Sequence, residues 1–121
     1  MSDKIFQSLR LAVKNLDEIL KVKKNDITRD AAIKRFELCF DLSWKAIKNY
    51  ATKEGLECYS PRGCLKAAYQ LKLIEYEDTW FAVVEDRNVT AHLYDAERAD
   101  EVYKRLPGYL DLFINLVKKL G

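Results

Sequence analysis

Apolar residues recur along most of this chain at three- and four-residue spacing, the period of an amphipathic helix. From about Asp3 to Lys21, Ile5, Phe6, Leu9, Val13, Leu16 and Leu20 share one side, and Lys4, Arg10, Lys14, Asp17, Glu18 and Lys21 fill the other. The basic run Lys21-Val22-Lys23-Lys24 suits a helix C-terminus, and Asn25-Asp26 marks a turn. The longest segment, about Thr28 to Lys53, carries Ile33, Phe36, Phe40, Trp44, Ile47 and Ala51 in one stripe, widened by Cys39, Ala46 and Tyr50. So broad an apolar face, with Trp44 read as core, predicts a central helix with several neighbours. Gly55 is placed to end it in a left-handed turn.

Ser60-Pro61-Arg62 pairs an N-cap serine with proline at the first helical position and opens a short helix to about Leu71. Leu65, Ala68 and Tyr69 are expected to turn inward. Asp78 is placed to cap the next helix, which carries Trp80, Arg87 and, near its end, His92. Asp95 is placed to cap the last, about Ala96 to Leu120, whose stripe is Val102, Leu106, Tyr109, Leu110, Phe113, Val117 and Leu120. Pro107-Gly108 predicts a kink or break within it. No stretch alternates with period two for long enough to predict a strand. The fold class is therefore all-α: an antiparallel up-and-down four-helix bundle with one short additional helix, a single domain over 1–121.

Asp86-Arg87-Asn88-Val89-Thr90-Ala91-His92-Leu93-Tyr94 interrupts this regularity. On a helix, Trp80, Val83, Val84, Arg87, Ala91 and Tyr94 fall on one stripe, so the Arg87 guanidinium sits amid apolar residues. A charge there is costly unless it is paired, hydrogen-bonded or opened to a site. The alternative is an arginine whose stem is buried and whose head reaches water. His92, the one histidine among 121 residues, brings proton transfer near neutral pH, and Arg87 brings a permanent cation with a fork of donors that fits phosphate. Five helical residues turn the chain by about 140°. Arg87 and His92 therefore converge only if the helix ends before His92 and bends it back, or if a second subunit completes the site.

Composition narrows the function classes. The 21 basic and 19 acidic residues leave a net charge of +2, too balanced to signal nucleic-acid binding in bulk, though not to exclude RNA at a local site. No apolar run is long enough to span a bilayer, and Met1 to Leu20 is amphipathic, unlike a signal segment. Cys39, Cys58 and Cys64 are odd in number, form no C-x-x-C pair and suit a reducing compartment, so a cytoplasmic location is expected. Cys58, Cys64 and His92 lack the fourth ligand and spacing of a zinc site. No metal or other cofactor is expected.

Arg29-Asp30-Ala31-Ala32-Ile33-Lys34-Arg35-Phe36-Glu37, followed by Trp44-Lys45, resembles the long-helix signature of the nucleotidyltransferase substrate-binding proteins, members of the HEPN superfamily. Ser60-Pro61-Arg62, the lone Trp80, Asp86-Arg87-Asn88 and His92-Leu93-Tyr94 follow in the family's order, and the match covers about Thr28 to Phe113. One preference is missing: Lys72 precedes Leu73-Ile74 where a glycine is common, which bears on the end of the short helix. The resemblance implies a homodimer in which two R-x4-H elements meet, and a cognate minimal nucleotidyltransferase as partner. It also implies that Arg87, Asn88 and His92 are candidate catalytic residues of a metal-independent endoribonuclease toxin. Tyr94 matches a tyrosine that can receive adenylyl groups from the nucleotidyltransferase; the alternative for it is a half-buried core tyrosine. Three functions follow: a ribonuclease toxin silenced by its partner, a non-catalytic substrate- or nucleotide-binding subunit of a two-component nucleotidyltransferase, or a dimerisation module with no site.

Overall fold

In a computed structural model that describes residues 3–75, 77–93 and 95–121, five helices follow in order: α1 Lys4–Leu20, α2 Asp26–Lys53, α3 Pro61–Gln70, α4 Glu77–Thr90 and α5 Ala96–Leu120. Tyr94, the expected modification target, lies outside the described residues. The long helices form the antiparallel bundle and α3 is the short addition. α2 packs against all four others, as the width of its apolar face demands.

Two of the side chains read as caps start their helices: Ser60 accepts from the backbone of Gly63 and Asp95 from Arg98. Asp3, where the sequence places the start of the first segment, caps α1 by accepting from Ile5 N. At α2 the cap falls on Asn25, not in the Thr28 region: Asn25 Oδ1 accepts from Thr28 N, and Thr28 Oγ1 accepts from Asn25 N. That reciprocal pair starts the helix at Asp26. Asp78 is not a cap, because α4 begins at Glu77; both acids lie in the first turn, where the helix dipole favours them.

Two helix ends share one geometry. Leu56 N donates to Ala51 O and Leu73 N donates to Ala68 O, each at 2.8 Å, closing six-residue loops through a residue of positive φ. At α2 that residue is Gly55, φ 82°; at α3 it is Lys72, φ 62°. The missing glycine thus falls where a side chain is strained. Lys72→Gly is expected to stabilise the fold by about 0.5–1 kcal/mol, measured as a higher denaturation midpoint at unchanged m-value.

The core joins α2, α4 and α5 through rings: Phe36 stacks on Tyr109 at 5.6 Å, and Phe113 lies 6.1 Å from Phe36 and 5.6 Å from Trp80. Two core readings and one expected break change. Trp44 is half-buried at the core's edge, and Tyr69, 49% exposed, lies beyond the buried stripe of Cys64, Leu65, Ala67 and Ala68. The expected interruption at Pro107 does not break α5, which continues through it. Pro107 and Gly108 are exposed, so the bond the proline removes is on the side that water can satisfy.

The cysteines also depart from expectation. Cys58 and Cys64 form a disulfide, closing the segment that carries Tyr59, Ser60, Pro61 and Arg62, and only Cys39 is a thiol. The turn at Ser60-Pro61 brings together two sulfurs that C-x-x-C spacing does not reveal. Burial pushes the Cys39 pKa up to about 12, so it is an inert thiol. No helix among the described residues is long and apolar enough to cross a membrane.

Candidate functional site

α4 ends at Thr90, before His92, and the chain then turns: His92 N donates to Val89 O at 2.9 Å. This is the first of the two routes by which Arg87 and His92 can converge. Arg87, Asn88 and His92 line one open depression of about 460 Å³ with Phe40, Asp41, Trp44, Pro61 and Ala91. Asn88, Ala91 and His92 are exposed, so Ala91 leaves the stripe on which a continuing helix places it. α2 supplies one wall, the turn into α3 another, and the end of α4 the floor.

Arg87 is paired. Its Nε and Nη2 donate to the two oxygens of Asp41, each at 3.2 Å, and Nη1 donates to Glu37 Oε2 at 2.8 Å. Thr90 Oγ1 lies 2.8 Å from the same Glu37 oxygen and 2.7 Å from the Arg87 carbonyl. The guanidinium side chain is 27% exposed, Glu37 16% and Asp41 41%. The Asp41 hydrogen bonds raise the Arg87 pKa above its ordinary value; burial opposes them, and the charges of Asp41 and Glu37 add to them. The arginine that the sequence places on an apolar face is therefore held by two carboxylates one helical turn apart on α2. That i, i+4 pair is a legible signal of one polar face, but nothing in its spacing says which cation it meets.

Asp86 faces the other way. Its carboxylate accepts from Arg105 Nε at 2.6 Å and Nη2 at 2.8 Å, and from the Tyr109 hydroxyl at 2.6 Å. Asp86 is buried, while the Arg105 side chain is 48% exposed. Adjacent residues of α4 thus tie it to α2 through Arg87 and to α5 through Asp86. The sequence offers a weak sign of this second tie: Asp86 follows Val83 by three positions and so borders the buried stripe.

Chemically, the depression combines an imidazole, an amide and an oriented guanidinium beside a half-buried tryptophan. Among the described residues no group of three or more histidine, cysteine or acidic side chains is arranged to hold a metal. Cys58 and Cys64 are already bonded to each other.

Residues 4–121 match the family model described as nucleotidyltransferase substrate binding protein like. A Haemophilus influenzae protein named probable ribonuclease HepT is 31% identical over 84 residues, covering 65% of this chain. The chain spans 58% of that relative's length in the match. A crystal structure from Thermus thermophilus is 34% identical with a TM-score of 0.86, covering 93% of this chain and 98% of the other. A Haemophilus influenzae protein, described as revealing the fold of a substrate binding domain of a nucleotidyltransferase, shares the fold at 24% identity and TM-score 0.85, covering 95% and 98% of the two chains. A mutant of the toxin-antitoxin MntA-HpeT shares it at 16% identity and TM-score 0.74, covering 95% and 93%.

Proposed function

The chain belongs to the nucleotidyltransferase substrate-binding family, and from that premise we propose that it is the HEPN component of a toxin–antitoxin pair, a metal-independent endoribonuclease silenced by a cognate minimal nucleotidyltransferase. The observation that carries the reading is the shared depression of Arg87, Asn88 and His92. The relative named as a probable ribonuclease and the fold neighbour from a toxin–antitoxin pair support it.

Cleavage needs no metal when the substrate supplies its own nucleophile. The 2′-hydroxyl of RNA attacks the adjacent phosphorus, the O2′–P bond forms, and the P–O5′ bond breaks. A base takes the 2′ proton and an acid protonates the departing 5′-oxygen. His92 serves one of these transfers, and the partner's His92 serves the other in a homodimer whose two depressions face each other. Arg87 stabilises the extra charge on the phosphorane, and Asn88 orients a phosphate oxygen. Leu38, 51% exposed and three residues from Asp41 on α2, suits burial by the second copy. Silencing follows if the nucleotidyltransferase moves the adenylyl group of ATP onto the Tyr94 hydroxyl with release of pyrophosphate. The adduct is an anion seven residues from Arg87 in sequence.

A second reading has its own support. Two carboxylates on one guanidinium leave the depression without net positive charge, which suits a non-catalytic subunit that presents a substrate or nucleotide to the nucleotidyltransferase. The test is incubation of the purified protein with a mixed RNA pool in EDTA, beside His92→Ala. Cleavage that disappears in the variant supports the ribonuclease. Equal cleavage by both marks a contaminant or another site, and no cleavage by a folded dimer favours the binding subunit.

A further inference from the structure

The loop closed by Cys58–Cys64 does more than supply Pro61 to the depression. Tyr59, two residues before Pro61, is 75% exposed, unusual for so large a ring. Its hydroxyl donates to the Glu57 carboxylate. Lys48 Nζ stands 5.7 Å from the centre of the ring. Lys48 lies one helical turn beyond Trp44 on α2, and Trp44 lines the depression. On the other side of Pro61, the Arg62 guanidinium lies 5.1 Å from the centre of Phe81. Phe81 precedes Asn88 by seven residues of α4, two turns along the same face and about 10 Å away.

Two cation–aromatic pairs therefore border the disulfide-closed loop, one reached along α2 and one along α4, and because these helices run antiparallel both lie on the Trp44 side of Arg87. An exposed ring with an ammonium at hand for a phosphate is the usual equipment for holding an unpaired base. A duplex keeps its bases stacked on each other and cannot use such a ring. We propose that Tyr59 is a stacking platform for one unpaired base of single-stranded RNA, with Lys48 meeting the adjoining phosphate, so that the strand is led past Trp44 towards Arg87 and His92. This rests on the ribonuclease reading and adds the substrate class: single-stranded, and tolerant of sequence at the Tyr59 subsite, because every base offers a π face.

The test measures binding of a labelled mixed-sequence single-stranded RNA of ten nucleotides by fluorescence anisotropy in EDTA, using the full chain with His92→Ala so that the strand stays intact. Adding Tyr59→Ala is expected to weaken binding roughly 5- to 100-fold and Tyr59→Phe hardly at all. Lys48→Ala is expected to lower the salt slope by about 0.7. Because Tyr59 is exposed, its variants are expected to keep the parent's helical circular dichroism. Undiminished binding by Tyr59→Ala overturns the platform, while the ribonuclease reading stands if the protein with His92 cuts RNA. Unchanged RNA binding with lost capture of the cognate nucleotidyltransferase also overturns it, making the loop a protein contact. If the protein neither binds nor cuts RNA, the ribonuclease reading falls and takes the platform with it.

Discussion

Arg87→Ala is expected to slow the proposed RNA cleavage by roughly 100- to 1,000-fold, the cost of removing one oriented donor to a developing oxyanion. Arg87→Lys is expected to recover little of it, because an ammonium cannot keep both oxygens of Asp41 and Glu37 Oε2 while reaching a phosphate. The fold is expected to survive either change. Asp41 is partly exposed and water can take its charge, and Glu37 keeps Thr90, with Lys34 3.8 Å away. Asp41→Ala is a milder case: the guanidinium stays but loses the fork that aims it, so the loss should be smaller. Single-turnover cleavage together with RNA binding separates the two roles. Arg87→Ala that cleaves within a few-fold of the parent would reduce Arg87 to a strut between α2 and α4.

The largest stability effect is expected at the other tie. Arg105→Ala should cost about 3 kcal/mol, because it leaves the Asp86 carboxylate buried and uncompensated in charge, with the Tyr109 hydroxyl still donating to it. Asp86→Ala should cost less, since Arg105 is half-exposed and can turn its charge to water. That inequality, read from denaturant midpoints, is the check; equal losses would mean that the pair contributes as packing alone. The same cluster predicts an alkaline signature. Burial first, and the Asp86 hydrogen bond and charge next, push the Tyr109 pKa up to about 12 from its ordinary 10.0, against the opposing charge of Arg105. A phenol whose pKa is raised by folding contributes stability in full below pH 10 and loses it as pH rises towards 12. Tyr109→Phe should therefore fall less steeply across that window.

The helices were legible because their information is local. Leu9, Val13 and Leu16, or Val102, Leu106 and Phe113, declare a face within a few turns, and Ser60-Pro61 and Asp95 declare their own starts. What stayed hidden depends on the chain meeting itself at a distance. Arg87 finds Asp41 and Glu37 46 and 50 residues away, and Asp86 finds Arg105 and Tyr109 on a different helix. Pattern could say that a charge on an apolar face needs partners; it could not say which. The left-handed Lys72 was legible only through the resemblance, which puts a glycine at that place, since a strained lysine by itself looks like any other surface lysine. Pro107 misled because exposure, unknown from the sequence, decides whether a lost backbone bond matters.

The divergence of Asp86 and Arg87 also guards the chain against a counting error. A deletion or insertion of one residue early in α4 would turn its remainder by about 100°. A deletion would carry Arg87 into the place of Asp86, against Arg105; an insertion would carry Asp86 into the place of Arg87, against Glu37 and Asp41. A shift in either direction thus brings like charges together, and the true alignment of α4 is marked by charge as well as by its apolar stripe.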